Sequence, residues 1–198
     1  MLNAVEFLGS QLLGFGLGVI ASVIASFLYD RWRRRRARQD YGSLEGVWVE
    51  ANGLLQDRPF SVCEFYFGGD GDLKFRGFSY DNDAREFYEW WSIVLHIDDR
   101  QRRMSYIYET RRVGQTTKDE GFGCNFLRLG DDGRWSIFGG YFLDLGEARP
   151  RHITMRRFED VTKFLKMQLD PNLKEDRRLL VGELLQRQED DSVRAFLS

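Results

Sequence analysis

The sequence predicts a mainly β protein: an N-terminal apolar helix, an eight-stranded antiparallel up-and-down β-barrel, and short C-terminal helices. Three observations carry that expectation. Residues 8–29 contain no charged side chain. From residue 44 onward, eight short runs rich in aromatic and β-branched residues follow one another, and Gly/Asp clusters separate them. Strands joined in sequence by short connections pair as an antiparallel meander, and eight strands close into a small barrel. An open sandwich is the alternative for the same pattern.

The apolar run comes first in the chain. About 20 apolar residues at 1.5 Å rise span the ~30 Å hydrocarbon core of a bilayer. Six arginines follow between Arg31 and Arg38, which predicts that the C-terminal side stays cytoplasmic. A cleaved leader would carry its charges before a shorter apolar region, with a small-residue cleavage site after it. The order here is the reverse, so a retained single-pass anchor is expected. Ser10, Gly14, Gly18, Ser22 and Ser26 recur every fourth residue and share one helix stripe. Small residues permit close helix packing in lipid, so the stripe predicts self-association. The expected organisation is an anchor over 1–29, a basic juxtamembrane linker over 30–43, a β-barrel over 44–158 and a helical segment over 159–198.

Charge divides along the same boundary. Residues 1–40 hold six arginines against Glu6, Asp30 and Asp40, giving +3, while the remaining 23 basic and 28 acidic residues give −5. An acidic soluble part argues against binding a DNA or RNA polymer. The basic cluster belongs at a membrane edge, where each cation gains ~1 kcal/mol from anionic lipid. Cys63 and Cys124 are too few for a disulfide framework and read as buried thiols.

Strands are predicted near 44–51, 60–68, 72–80, 88–97, 103–111, 122–129, 134–142 and 151–158. Gly68-Gly69-Asp70-Gly71, Asp81-Asn82-Asp83, Asp98-Asp99-Arg100 and Gly130-Asp131-Asp132-Gly133 carry turn chemistry between the strands, and their Asp-Gly and Gly-Gly steps supply the positive φ of tight hairpins. The first of these clusters lacks the ligand spacing and closing glutamate of a calcium loop. After Phe158 the period becomes helical through Met167. Asp170-Pro171 then offers an N-cap and first turn for a second amphipathic helix, with Leu180/Leu184 and Val181/Leu185 four apart.

Gly46-Val47-Trp48, at the first strand, looks like the G-x-W signature of the lipocalin and fatty-acid-binding barrels. That resemblance implies a tryptophan plug, Trp48, beneath a basic residue of the last strand, Arg156 or its neighbour Arg157, with Arg156 taken as the partner. The wider lipocalin pattern is missing, so the likeness is one of architecture.

Catalytic signatures are missing as well. No HExxH pair, CxxC pair, GxSxG elbow or phosphate-cradling Gly-Lys-Ser/Thr loop occurs, and the two histidines, His96 and His152, fall within predicted strands. The expectation is a non-enzymatic protein without metal or cofactor. A barrel this small holds one small ligand. Arg76, Tyr80, Tyr106, Tyr108, Asn125, Arg128 and Tyr141 mix aromatic faces with hydrogen-bonding groups on successive strands. Aromatic faces stack bases and arginines grip phosphates, so these residues predict a nucleotide ligand.

Taken together, the N-terminal membrane segment, the arginine-rich junction and the barrel resemble the transmembrane β-barrel effectors of bacterial CBASS-type antiphage systems. That likeness implies a cytosolic barrel sensing a cyclic di- or oligonucleotide made by a partner nucleotidyltransferase or cyclase. It also implies homo-oligomers that disrupt the bacterial inner membrane. Similar proteins in related operons are held inactive by the nucleotide instead. The chain departs from the family in one respect: two membrane helices are usual there, and this sequence offers one span. Two other readings are a membrane-tethered scaffold whose barrel binds nothing small, and a carrier of lipid or another hydrophobe.

Overall fold

The computed structural model describes residues 2–52 and 59–197, with side chains for residue 15 and from residue 17 onward within those stretches. Helix α1, Leu2–Tyr41, runs unbroken for 40 residues through both the apolar run and the arginine cluster. Residues 30–43, expected as a linker, are therefore helical to Tyr41 and close with a tight turn at Gly42–Leu44. No Gly or Pro interrupts the segment after Asp30, and Arg36 and Asp40 stand four apart as an ion pair. Among the described residues no helix is long and apolar enough to cross a membrane. Ser10 and Gly14 lie outside the described side chains. Farther along, Val19, Ile20, Val23, Ile24, Phe27 and Leu28 are exposed around the helix. A Cβ at Gly18 would meet nothing within 4 Å, and Ser22 and Ser26 are exposed, so the chain itself does not cover these three positions of the stripe.

Eight strands follow: β1 Gly46–Ala51, β2 Phe60–Phe67, β3 Leu73–Tyr80, β4 Glu86–Asp98, β5 Arg103–Arg112, β6 Lys118–Leu129, β7 Trp135–Asp144 and β8 Arg151–Arg157. Each pairs antiparallel with its sequence neighbour, and β8 returns to β1, so the barrel is closed. β6 begins at Lys118, ahead of the expected 122, because Lys118, Asp119 and Glu120 pair with Arg111, Thr110 and Glu109. Those charged residues conceal the strand from a hydropathy reading, since alternation there lies between charges.

The barrel has a filled end and an open end. At the filled end Trp48 is buried, and its indole N–H donates to the Leu44 carbonyl at 3.1 Å. Phe65 and Phe75 extend the packing upward in edge-to-face contacts, with ring centres 6.3 and 5.5 Å apart in sequence from Trp48. The cation over Trp48 is Arg157, 4.2 Å from the ring, and not Arg156. Successive residues of a strand face opposite sides. Arg157 pairs with Trp48 across β1 and β8, whereas Arg156 lies on the outer face and donates to the Phe196 carbonyl at 3.0 Å. Gly46 fits this corner because its φ is +124° and any Cβ would meet the Arg157 guanidinium.

Three short helices, α2 Phe158–Leu165, α3 Lys174–Gln186 and α4 Asp191–Leu197, follow β8. Leu180, Val181 and Leu184 of α3, with Phe158, Val161, Val193 and Leu197, bury the outward face of β1 and β2 at Val47, Val49 and Val62. Asp170-Pro171 does not open α3, whose N-cap is Leu173. Asp170 instead accepts from the Asn172 backbone N–H in a turn ahead of the helix.

Candidate ligand-binding sites

The end of β1 at Ala51, the start of β2 at Phe60 and the β3–β4, β5–β6 and β7–β8 connections lie at the open end of the barrel. The foot of α1 meets the opposite, filled end: Arg33 pairs with Asp72 at 2.6 Å, and Tyr41 donates to Asp99 at 2.6 Å. The cavity of about 290 Å³ at the open end therefore faces away from α1.

Its walls are aromatic and acidic. Tyr88, Trp90, Tyr106, Tyr108 and Phe142 supply ring faces, and Glu50, Asp119, Asp144 and Glu147 supply carboxyls, with no lysine or arginine in the lining among the described residues. Tyr108 donates to Asp144 at 2.5 Å and fixes that carboxylate against the rim. Glu147 is ion-paired with Arg151, which stands outside the lining over the Phe142 ring. Glu50 is buried on the inner face two residues from Trp48. Desolvation lifts its carboxyl to about 7, although hydrogen bonds with Asn52 and Ser61 favour the ionised form. Asn52 is 3% exposed, and its side-chain oxygen has no hydrogen-bond partner among the described residues.

Glycine makes room for the tyrosines. Gly121 lies opposite Tyr108 and Gly123 opposite Tyr106, and a Cβ at either position would enter the ring facing it. The two rings lie flat across β6, with Tyr106 within 3.4 Å of the Asn125 side-chain oxygen. Burial pushes the Tyr106 hydroxyl up, and burial together with Asp144 pushes Tyr108 up, so both remain protonated donors.

A second concavity, about 570 Å³, lies outside the barrel between the β2–β4 wall and residues 171–177. Tyr66, Arg76, Trp91 and Arg177 are among its lining residues. Arg76 sits 5.4 Å over the Tyr66 ring while pairing with Glu64 at 2.8 Å. Trp91 is flanked by Arg111 at 5.7 Å and Lys118 at 5.0 Å.

The structure does not bring the seven residues expected at a ligand site together. Tyr106 and Tyr108 line the lumen cavity, and Asn125 is buried deeper in the same lumen. Arg76 lies in the outer groove. Arg128 is exposed on the outer wall, 5.1 Å over Phe138, and Tyr141 packs on that wall beside Phe122 and Phe126. Tyr80 is buried on the outer face with the helices of the C-terminal segment. Sequence reasoning missed Glu50, Asn52, Trp90, Asp119, Asp144 and Glu147. A signal for the first was present, because a strand that turns Trp48 inward also turns Glu50 inward. Cys63 and Cys124 are both buried free thiols. Compared with family models, curated proteins and solved structures, the chain matches none of them.

Proposed function

We propose that this chain is a membrane-anchored antiphage effector whose barrel senses a cyclic di- or oligonucleotide and thereby controls assembly and disruption of the bacterial inner membrane. In this reading the barrel lies on the cytoplasmic side and a partner nucleotidyltransferase or cyclase supplies the ligand. The outer groove carries the ligand part of the proposal. Arg76, Arg177, Tyr66 and Trp91 share its lining, and that mixture of guanidinium and aromatic groups suits phosphates gripped by arginine and bases stacked on rings. Glu64 and Glu89 already hold Arg76 and Arg111, so a phosphate must compete with those carboxylates. The uncovered apolar side chains around α1 support the membrane part, since water is a poor environment for them. A ligand shifts assembly only by binding the assembled and separate states unequally, so copies must bind more tightly or more loosely as they meet.

Calorimetry of the full chain in detergent with 3′,3′-cyclic di-GMP and 3′,3′-cyclic GMP–AMP tests this. Saturable binding that weakens at least about tenfold in a double R76A/W91A variant is the expected result, because stacking and one charged hydrogen bond are each worth over 1 kcal/mol. No binding by any cyclic dinucleotide removes the reading.

One observation favours a scaffold as the second reading: the half of the lumen next to Trp48 is filled by its own side chains. A fatty-acid carrier fits less well, because its carboxylate would meet the Asp119 and Asp144 carboxylates at the mouth.

A further inference from the structure

We propose that the cavity at the open end of the barrel binds an organic cation bearing N–H donors on an apolar or aromatic body, a protonated primary amine being the simplest member. Charge is the first argument. Asp119 and Asp144 line the mouth, Glu50 lies farther in, and among the described residues no cationic side chain belongs to the lining. Among the described residues, Glu147 is the one of the four with its own cation, Arg151. An anion entering this space would meet carboxylates on several sides, so the site differs in kind from the outer groove.

The walls are the second argument. Trp90, Tyr106 and Phe142 present ring faces in the same cavity, and a cation held over such faces is attracted by their negative centres. On the outer wall the protein's own arginines and Lys118 occupy comparable positions over Tyr66, Trp91 and Phe138. Inside, Arg151 stands 5.9 Å over Phe142, while Trp90 and Tyr106 carry no side-chain cation among the described residues.

Third, Asn52 brings to the cavity lining a buried acceptor that has no partner among the described residues. A buried carbonyl oxygen left unbonded is destabilising, and an N–H donor from a ligand relieves it. That selects an ammonium or guanidinium with hydrogens over a quaternary ammonium. A bare metal ion is a poorer fit, because among the described residues no three His, Cys, Asp or Glu side chains stand close enough to share one. The carboxyls surround a body larger than an ion, and about 290 Å³ is near the lower end of small-molecule cavities, ~300 Å³.

The full chain in detergent, titrated calorimetrically with phenethylamine, 1,4-diaminobutane and tetramethylammonium against matched sodium chloride, tests the proposal. Saturable binding of the primary amines, tighter than that of tetramethylammonium, is expected. D144N should weaken phenethylamine roughly tenfold. D119N, at an exposed rim position, should weaken it roughly threefold, as befits a more screened charge. R76A, in the outer groove, should leave amine binding unchanged. Melting curves report whether D144N still folds; if it does not, D119N decides the question. The proposal is overturned if no amine gives heat beyond the salt control. It is overturned equally if D119N binds amines as well as the parent, or if cyclic di-GMP displaces phenethylamine competitively. Failure of cyclic dinucleotides to bind leaves this result standing, because the amine titration is read independently.

Discussion

The inner and outer faces of the same strands carry opposite chemistry. On β5 the inward Tyr106 and Tyr108 stand among carboxyls and a short bond to Asp144, while the outward Arg111 lies over Trp91 and pairs with Glu89. On β8 Arg157 closes the lumen over Trp48, and Arg156 one residue earlier reaches a helix on the outside. Period two sorts residues so completely that neighbours in sequence belong to different sites. A site composition read from a strand without its parity is therefore a mixture of two surfaces.

The largest predicted break of this contrast is at the plug. Trp48→Ala should lower stability by about 3–5 kcal/mol in denaturant melts, because a fully buried indole leaves a cavity that the closed barrel cannot collapse into. Loss under 1 kcal/mol would mean that the filled end is not what holds the barrel together.

Glu50 comes next. Its carboxyl titrates at 4.5 when unfolded and about 7 when folded. Between those values the folded chain holds a proton that the unfolded chain has released. This group's contribution to stability is thus greatest below about pH 4.5, falls as pH rises, and levels off above about pH 7. The difference is roughly 3 kcal/mol by linkage. Glu50→Gln should flatten that part of the stability profile, and an unchanged slope would show that Glu50 is not buried in the lumen.

Gly121→Ala should cost about 1–3 kcal/mol, because the new methyl displaces the Tyr108 ring and with it the bond to Asp144. Near-ultraviolet circular dichroism should change with it. Arg128→Ala sits at the other extreme: an exposed side chain lying over Phe138, predicted to alter stability by less than about 0.5 kcal/mol. An equal effect from Gly121→Ala and Arg128→Ala would erase the distinction between the faces.

Much of the fold was legible in the sequence. All eight strands lie close to their expected positions, because Gly/Asp turns punctuate them, and turn chemistry is a local property. The Trp48 plug was legible through the Gly46-Val47-Trp48 signature at the first strand. Its cation was not, since choosing between Arg156 and Arg157 needs the register of β8 on β1. Bulges at Ser92/Val94 and Phe126/Leu127 shift registers again, and no pattern of hydropathy announces them. The carboxyls of the lumen escaped notice because Asp and Glu read as solvated turn residues. Here Asp119 and Asp144 lie on strands at the mouth, inside rather than beside it.

The union of α1 with the barrel has a mechanical consequence. Forty helical residues make a rod of about 60 Å, and its last turns are fastened at Arg33–Asp72, at Tyr41–Asp99 and, just past its end, from the Trp135 amide to the Ser43 hydroxyl. These fastenings tie the base of the rod to the filled end, so the rod leaves the barrel in a set direction and turning the barrel turns the base of the rod with it.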